Sequence, residues 1–329
     1  MLNQERQASR FSQRLFYVTA IILISVLILA AGFDWQISQF FGNMNDPIAT
    51  TFQDIGLWTS PLVVMLACNI VAHAGVRASN WPWYVRAIAV VGSTLFAGYE
   101  LWSGYLKYAM MMVLTSVKDI QAGKPMGMAN SDGGSLALPG ALSISLFILL
   151  YVAVCGVAQY WLARKSDDDL QHLVRVALVA ALVVLLADTV INTMKTTWGR
   201  FRPYELLAGD PTKYTPWFHI NGADGHMSFP SGHTETAALS LLFPLFVDRK
   251  NARLQRLVFW LAHGYGIAMA ISRVRILAHF TGDVTTSLVI VWSVILLVTT
   301  VANLPLVNWV ALPQRKSSKS TQAASPAAE

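Results

Sequence analysis

Eight apolar stretches divide this chain, near residues 15–33, 60–77, 83–104, 140–163, 172–194, 233–247, 256–272 and 282–303. A bilayer core takes about 20 helical residues to cross. A chain that repeats such stretches this often has little choice but to live in a membrane. Composition agrees: 54% of residues are hydrophobic and 13% charged, where a soluble domain carries about 25% charged residues. The expected fold is all-α, a polytopic transmembrane helix bundle with about eight spanning helices. The sixth stretch is short and holds Pro244, and the third can run on through Met110–Val113.

Basic residues orient the bundle. With a cytoplasmic N-terminus, the inner segments hold 15 of the 24 Lys and Arg, and the outer segments hold Lys107, Lys118, Lys124, Lys195, Arg200, Arg202, Lys213, Arg273 and Arg275. Both termini are therefore expected inside. The net charge of +6 is a topology signal scattered over short loops, with no stripe for nucleic acid. Cys68 and Cys155 lie inside apolar runs and form neither a disulfide framework nor a metal-thiolate spacing. Three regions follow: membrane helices and outer loops over 1–165, a core over 166–304, and a flexible cytoplasmic tail over 305–329. The first helix reads as an anchor, since its apolar run exceeds a usual signal-peptide core. The segment from Trp35 to Trp58 is expected along the outer interface, and the outer loop 114–139 is expected to be mobile. The loop 204–229 is aromatic, with Tyr204, Tyr214, Trp217 and Phe218 either in the headgroup belt or in contact with substrate.

Three polar clusters abut helix ends that all face the outer side. The first runs from Lys195 through Arg200 to Arg202-Pro203. Basic residues are depleted on this face, and three within eight positions fit a phosphate site as well as they fit simple snorkelling to headgroups. The second is Pro230-Ser231-Gly232-His233. Ser231 is a good N-cap, Gly232 lets backbone approach a ligand closely, and a helix N-terminus offers free N–H donors to an anion. The third is Ser272-Arg273, then His279 and Asp283. On a helix the last two share a face, and a carboxylate on one imidazole nitrogen raises the basicity of the other, as a histidine nucleophile needs.

In order and spacing these clusters resemble the signature of the type 2 phosphatidic acid phosphatase superfamily of membrane lipid phosphatases. The resemblance covers about residues 172–303. It implies that His279 attacks phosphorus to form a phosphohistidine, that Asp283 orients it, and that His233 protonates the leaving group and later activates water. Lys195, Arg202 and Arg273, with the Ser231 hydroxyl and the Gly232 amide, would hold the phosphate oxygens. No cofactor and no metal is implied. The expected substrate is a lipid phosphate or diphosphate of the phosphatidic acid, phosphatidylglycerophosphate, undecaprenyl diphosphate or lipid A class, reached from the outer leaflet of the bilayer. The two extra N-terminal helices depart from the six-helix pattern of many bacterial members.

Two rival readings stand beside this one. A lipid phosphotransferase would pass the same phosphohistidine's phosphate to another lipid, and a transporter or flippase would use buried Asp188 and Glu100 as a polar pathway. Asp188 is expected to be satisfied by a neighbouring helix, and Glu100 to pair with an outer basic residue. The absence of any Asn-x-Ser/Thr sequon fits a bacterial inner membrane with the site facing the periplasm.

Overall fold

All eight apolar stretches are helical, for the reason that set them apart: in hydrocarbon every backbone polar group must be paired within its own segment. The computed structural model describes residues 2–130, 137–307 and 309. Among these there is no strand. In chain order the elements are α1 (Leu2–Phe41), α2 (Pro47–Ile55), α3 (Thr59–Arg77), α4 (83–121), α5 (Gly140–Leu162), α6 (Asp167–Trp198), α7 (Pro203–Ala208), α8 (Gly232–Ala238), α9 (Phe243–Phe246), α10 (Ala252–Arg275) and α11 (Thr281–Val301). Six spans are long and apolar enough to cross a membrane: Tyr17–Phe41, Pro47–Arg77, Gly140–Leu162, Asp167–Trp198, Ala252–Arg275 and Thr281–Val301. The other two expected stretches differ from these. In α4 the helix is interrupted by π-helical turns at Ile88–Gly92 and Glu100–Leu106, and α8 and α9 are short pieces joined by a 3₁₀ turn over Leu239–Leu242.

Several boundaries move from their expected places. The first helix continues to Phe41, and α2 leads through a short 3₁₀ turn into α3, so the Trp35–Trp58 segment is largely helical. Asp46 caps α2, its carboxylate accepting the Ala49 N–H at 2.9 Å. The third stretch runs on to Gln121, well into the loop expected over 114–139, of which 131–136 lie outside the described residues. The tail after Pro313 lies outside them as well.

The core forms where α3 and α6 pack together and meet α8, α10 and α11. One stripe of α6 is buried, with Val176, Ala180, Val183, Ala187 and Ile191 all at 0% exposure, the three-to-four-residue period of a single helix face. Lipid tails are as apolar as these side chains, so close van der Waals packing of small residues holds such an interface. Helix α1 lies against α11. That contact brings an N-terminal helix up to the end of the bundle where the three polar clusters gather.

Candidate active site

Each cluster is shaped by a helix end. Helix α6 stops at Trp198 because Gly199 adopts a left-handed C-cap with φ 61. A Cβ there would fall 2.0 Å from the Gly222 carbonyl oxygen, so only glycine fits. The turn brings Arg200 beside the strand-like residues before the second cluster, where its carbonyl accepts the Ser228 N–H at 3.0 Å. Pro203 then opens α7, and Glu205 Oε2 accepts the Arg202 N–H at 2.7 Å. Ser231 caps α8, its Oγ accepting the Thr234 hydroxyl at 3.0 Å and the Thr234 N–H at 3.4 Å.

The third cluster corrects one expectation. His279 and Asp283 do not share a helix face, because α10 ends at Arg275 and α11 begins only at Thr281. His279 sits in the turn between them, its N–H donating to the Arg273 carbonyl at 3.2 Å. Asp283 lies in the first turn of α11 and reaches back, its Oδ2 accepting the Phe280 N–H at 2.9 Å. A cap, and not helical periodicity, brings the two together.

The eight residues singled out from the sequence gather in one cluster. Arg202, Arg273 and Lys195 all act electrostatically on His279, and the same three cations and His279 act on His233. The Lys195 ammonium sits 3.2 Å from where a Cβ on Gly232 would be, close against the bare backbone there. The Ser231 N–H donates to the Asp283 carbonyl at 3.4 Å. Ser231, Arg273, His279 and Asp283 are buried, while Lys195, Arg202, Gly232 and His233 are half-buried.

The hydrogen bonds assign the imidazole's protons. His279 Nδ1 lies 2.6 Å from the Ser228 carbonyl oxygen, which can only accept, so Nδ1 carries the hydrogen and Nε2 presents a lone pair. Asp283 Oδ2 stands 3.7 Å from the same Nδ1, too far to be its direct partner. The Asp283 carboxylate instead takes the Ser228 hydroxyl at 2.5 Å, the Phe280 N–H and the Arg200 guanidinium. Burial, followed by the charges of Arg202, Arg273 and Lys195, pushes His279 well below its ordinary value of 6.5, against the opposing pull of the Ser228 carbonyl. The ring is therefore neutral at neutral pH, as attack by a lone pair requires. His233 Nε2 lies 2.9 Å from the Tyr108 hydroxyl, so an oxygen already occupies hydrogen-bonding range of that nitrogen.

Arg273 is the most informative side chain. It is fully buried, at 0% exposure, yet its Nη1 donates only to Gln53 Oε1, at 3.0 Å, while Nε and Nη2 have no partner. No carboxylate among the described residues forms an ion pair with Arg273, Lys195 or Arg202. A buried cation with unused donors, beside two more cations, is a site prepared for an anion.

Sequence reasoning passed over Asp34, Gln53, Tyr108 and Ser228, and gave Arg200 no role of its own. Nothing in their spacing marks the first three. Ser228 and Arg200 stand close to the recognised clusters, which was the available signal. Asp188 is exposed on the bundle surface and accepts from Asn192 Nδ2 at 2.8 Å, so its own helix satisfies it and not a neighbouring one. Glu100 forms no ion pair among the described residues, and its nearest charged neighbour acting on it is Asp188. The aromatic loop packs onto the site, with Tyr204 interacting electrostatically with Arg202 and Arg273. Trp217 Nε1 donates to the Leu27 carbonyl at 3.1 Å, Trp198 Nε1 donates to the Trp217 carbonyl at 2.8 Å, and Tyr214 packs edge-on to Phe280, so the loop latches α1 and α6 to the site.

A family model described as the PAP2 superfamily, a family of phosphatases, matches residues 176–304. Neither a curated protein nor a solved structure matches the chain.

Proposed function

We propose, from the match of residues 176–304 to the PAP2 superfamily, that the chain hydrolyses a lipid phosphate or diphosphate at the outer face of a membrane through a phosphohistidine. The observation that carries the reading is Arg273, fully buried with two nitrogens unpartnered, in the same cluster as an imidazole whose Nδ1 is held by the Ser228 carbonyl.

The reaction follows from these groups. The phosphate's equatorial oxygens take the free donors of Arg273, with Lys195, Arg202 and the N-terminus of α8 around them. His279 Nε2 donates its lone pair to phosphorus while the phosphorus–oxygen bond to the lipid breaks. His233, whose imidazolium the phosphate's negative charge favours against the burial and cations that lower it, gives its proton to the departing oxygen, at the place the Tyr108 hydroxyl holds. Water then enters, His233 takes its proton, and the hydroxide oxygen bonds phosphorus as the phosphorus–nitrogen bond breaks. Inorganic phosphate leaves, and both histidines return to their starting states. Phosphoryl transfer depends chiefly on positioning and charge stabilisation, which three cations and fixed N–H donors supply. Among the described residues, no group of three or more His, Cys, Asp or Glu is placed to hold a metal ion, and no step above calls for one.

The substrate's apolar chain would stay in the bilayer while its phosphate reaches the pocket. The basic-residue bias of the loops supports a site on the outer, periplasmic side of a bacterial inner membrane. The test is phosphate release by the purified full chain over phosphatidic acid, phosphatidylglycerophosphate, undecaprenyl diphosphate and lipid A, with and without EDTA. Activity on at least one that survives chelation and is lost in His279→Ala is expected. Full turnover in His279→Ala, or appearance of labelled phosphate in a second lipid instead of in solution, would refute hydrolysis by this route.

A further inference from the structure

Helix α1 lies outside residues 176–304, yet one of its side chains reaches the middle of the site. Asp34 is fully buried, at 0% exposure. Its Oδ2 accepts from Arg200 Nη2 at 3.0 Å, and its Oδ1 accepts the Gly282 N–H at 2.9 Å, one residue before Asp283. The approach needs glycine at 282, since a Cβ there would fall 2.7 Å from Asp34 Oδ2.

Arg200 is used up by these contacts. Nη2 serves Asp34, Nη1 serves Asp283 Oδ1, and Nε donates to the Thr215 carbonyl at 3.0 Å. Its guanidinium lies 4.2 Å from the centre of the Phe280 ring and is 1% exposed. Unlike Arg273, it has no nitrogen without a partner. Its work is to join two carboxylates from helices at opposite ends of the chain.

The charge count gives that joint a consequence. Two carboxylates around one guanidinium leave a surplus negative charge in the interior, and unbalanced buried charge is costly. Its natural counter-charge forms during the reaction. His279 keeps its Nδ1 hydrogen on Ser228, so the ring becomes cationic when Nε2 bonds phosphorus, and Asp283 Oδ2 stands 3.7 Å from that ring. The groups facing His279 are otherwise cations or a second histidine: Lys195 from α6, Arg202 ahead of α7, His233 from α8 and Arg273 from α10. Without surplus negative charge nearby, these would oppose a positive imidazole.

We infer that Asp34 is a positioning residue for the phosphoryl transfer: it holds Arg200 and the start of α11 so that Asp283 faces His279, and it supplies the extra negative charge that favours the cationic phosphohistidine. The inference rests on the proposed hydrolysis, and it gives α1 a part in the chemistry.

The experiment compares wild type, His279→Ala, Asp34→Asn and Asp34→Glu as purified full chains, on whichever of the four lipid phosphates named above the wild type hydrolyses. Rates are normalised to folded protein by size exclusion. Asp34→Asn is expected to lower kcat by roughly tenfold or more while KM changes less than about twofold, the pattern of an interaction made only in the transition state. Its acid limb in kcat should move to lower pH, because a neutral His279 then takes up a proton less readily. Asp34→Glu, with the charge kept but displaced by one methylene, should fall between wild type and Asp34→Asn. A plain structural staple would instead lower the yield of folded protein and leave kcat, KM and the pH limb of the folded fraction unchanged. That result overturns the inference, and so does wild-type kcat in Asp34→Glu should Asp34→Asn fail to fold. A wild type inactive on every lipid, or an active His279→Ala, defeats the hydrolase reading itself, so the two failures are distinguishable.

Discussion

Replacing Arg273 with methionine should raise stability and destroy activity together. The guanidinium is fully buried and leaves Nε and Nη2 unpartnered. Each unsatisfied buried donor costs about 1–3 kcal/mol, and removing a buried ion in favour of an apolar side chain of similar volume is often stabilising by about 1–4 kcal/mol. Against this stands the bond to Gln53 Oε1, whose loss costs about 1 kcal/mol and leaves that oxygen bare. At the centre of these ranges Arg273→Met gains about 1 kcal/mol, read as a higher melting temperature in detergent. For catalysis the sign reverses. Two charge-assisted bonds to phosphate are worth about 1.5–3 kcal/mol each, so kcat/KM should fall by roughly 10²- to 10⁴-fold. Orthovanadate, a phosphate analogue, should raise the melting temperature of the wild type by mass action and leave the variant's unmoved. A variant that melts clearly lower than wild type, or that vanadate still stabilises, would show that Arg273 is a structural cation and refute the reasoning.

Three further outcomes follow from the site's electrostatics and from the loops. Burial and three neighbouring cations hold His279 well below 6.5, so the acid limb of kcat/KM should lie well below pH 6.5, and a limb at or above that value would contradict a neutral nucleophile. The same shift enters stability with a fixed sign: the unfolded chain binds the proton first, so this group's contribution is full above about pH 6.5 and is lost as pH falls towards the lowered folded value, which melting temperature against pH would show. Facing is read from single cysteines in a chain lacking Cys68 and Cys155: an impermeant maleimide on intact cells should label Thr212→Cys and reach Lys250→Cys only after lysis, and the reverse pattern would invert the proposed orientation.

What could be read from the chain alone was local. The apolar stretches marked the helices because a span must satisfy its own backbone, and no distant residue can change that. The three clusters kept their type and order in sequence because Lys195 to Arg202, Pro230 to His233 and Arg273 to Asp283 are each short enough to hold one helix end. Even there the local reading slipped. The spacing of His279 and Asp283 suggested a helix face, where a turn and a cap produce the proximity, and the Nδ1 partner is the Ser228 carbonyl.

The tertiary structure alone decided which charge meets which. Asp34 and Arg200 are 166 residues apart, and Gln53 and Arg273 are 220 apart. No periodicity or motif spans such distances, because the pairing is set by how α1 packs on α11 and how α2 packs on α10. The sequence by itself determined a membrane helix bundle bearing phosphate-handling side chains. Packing determined that Arg200 is spent between two carboxylates while Arg273 is left with bare donors, since a guanidinium's use depends on what the fold brings within about 3 Å of it.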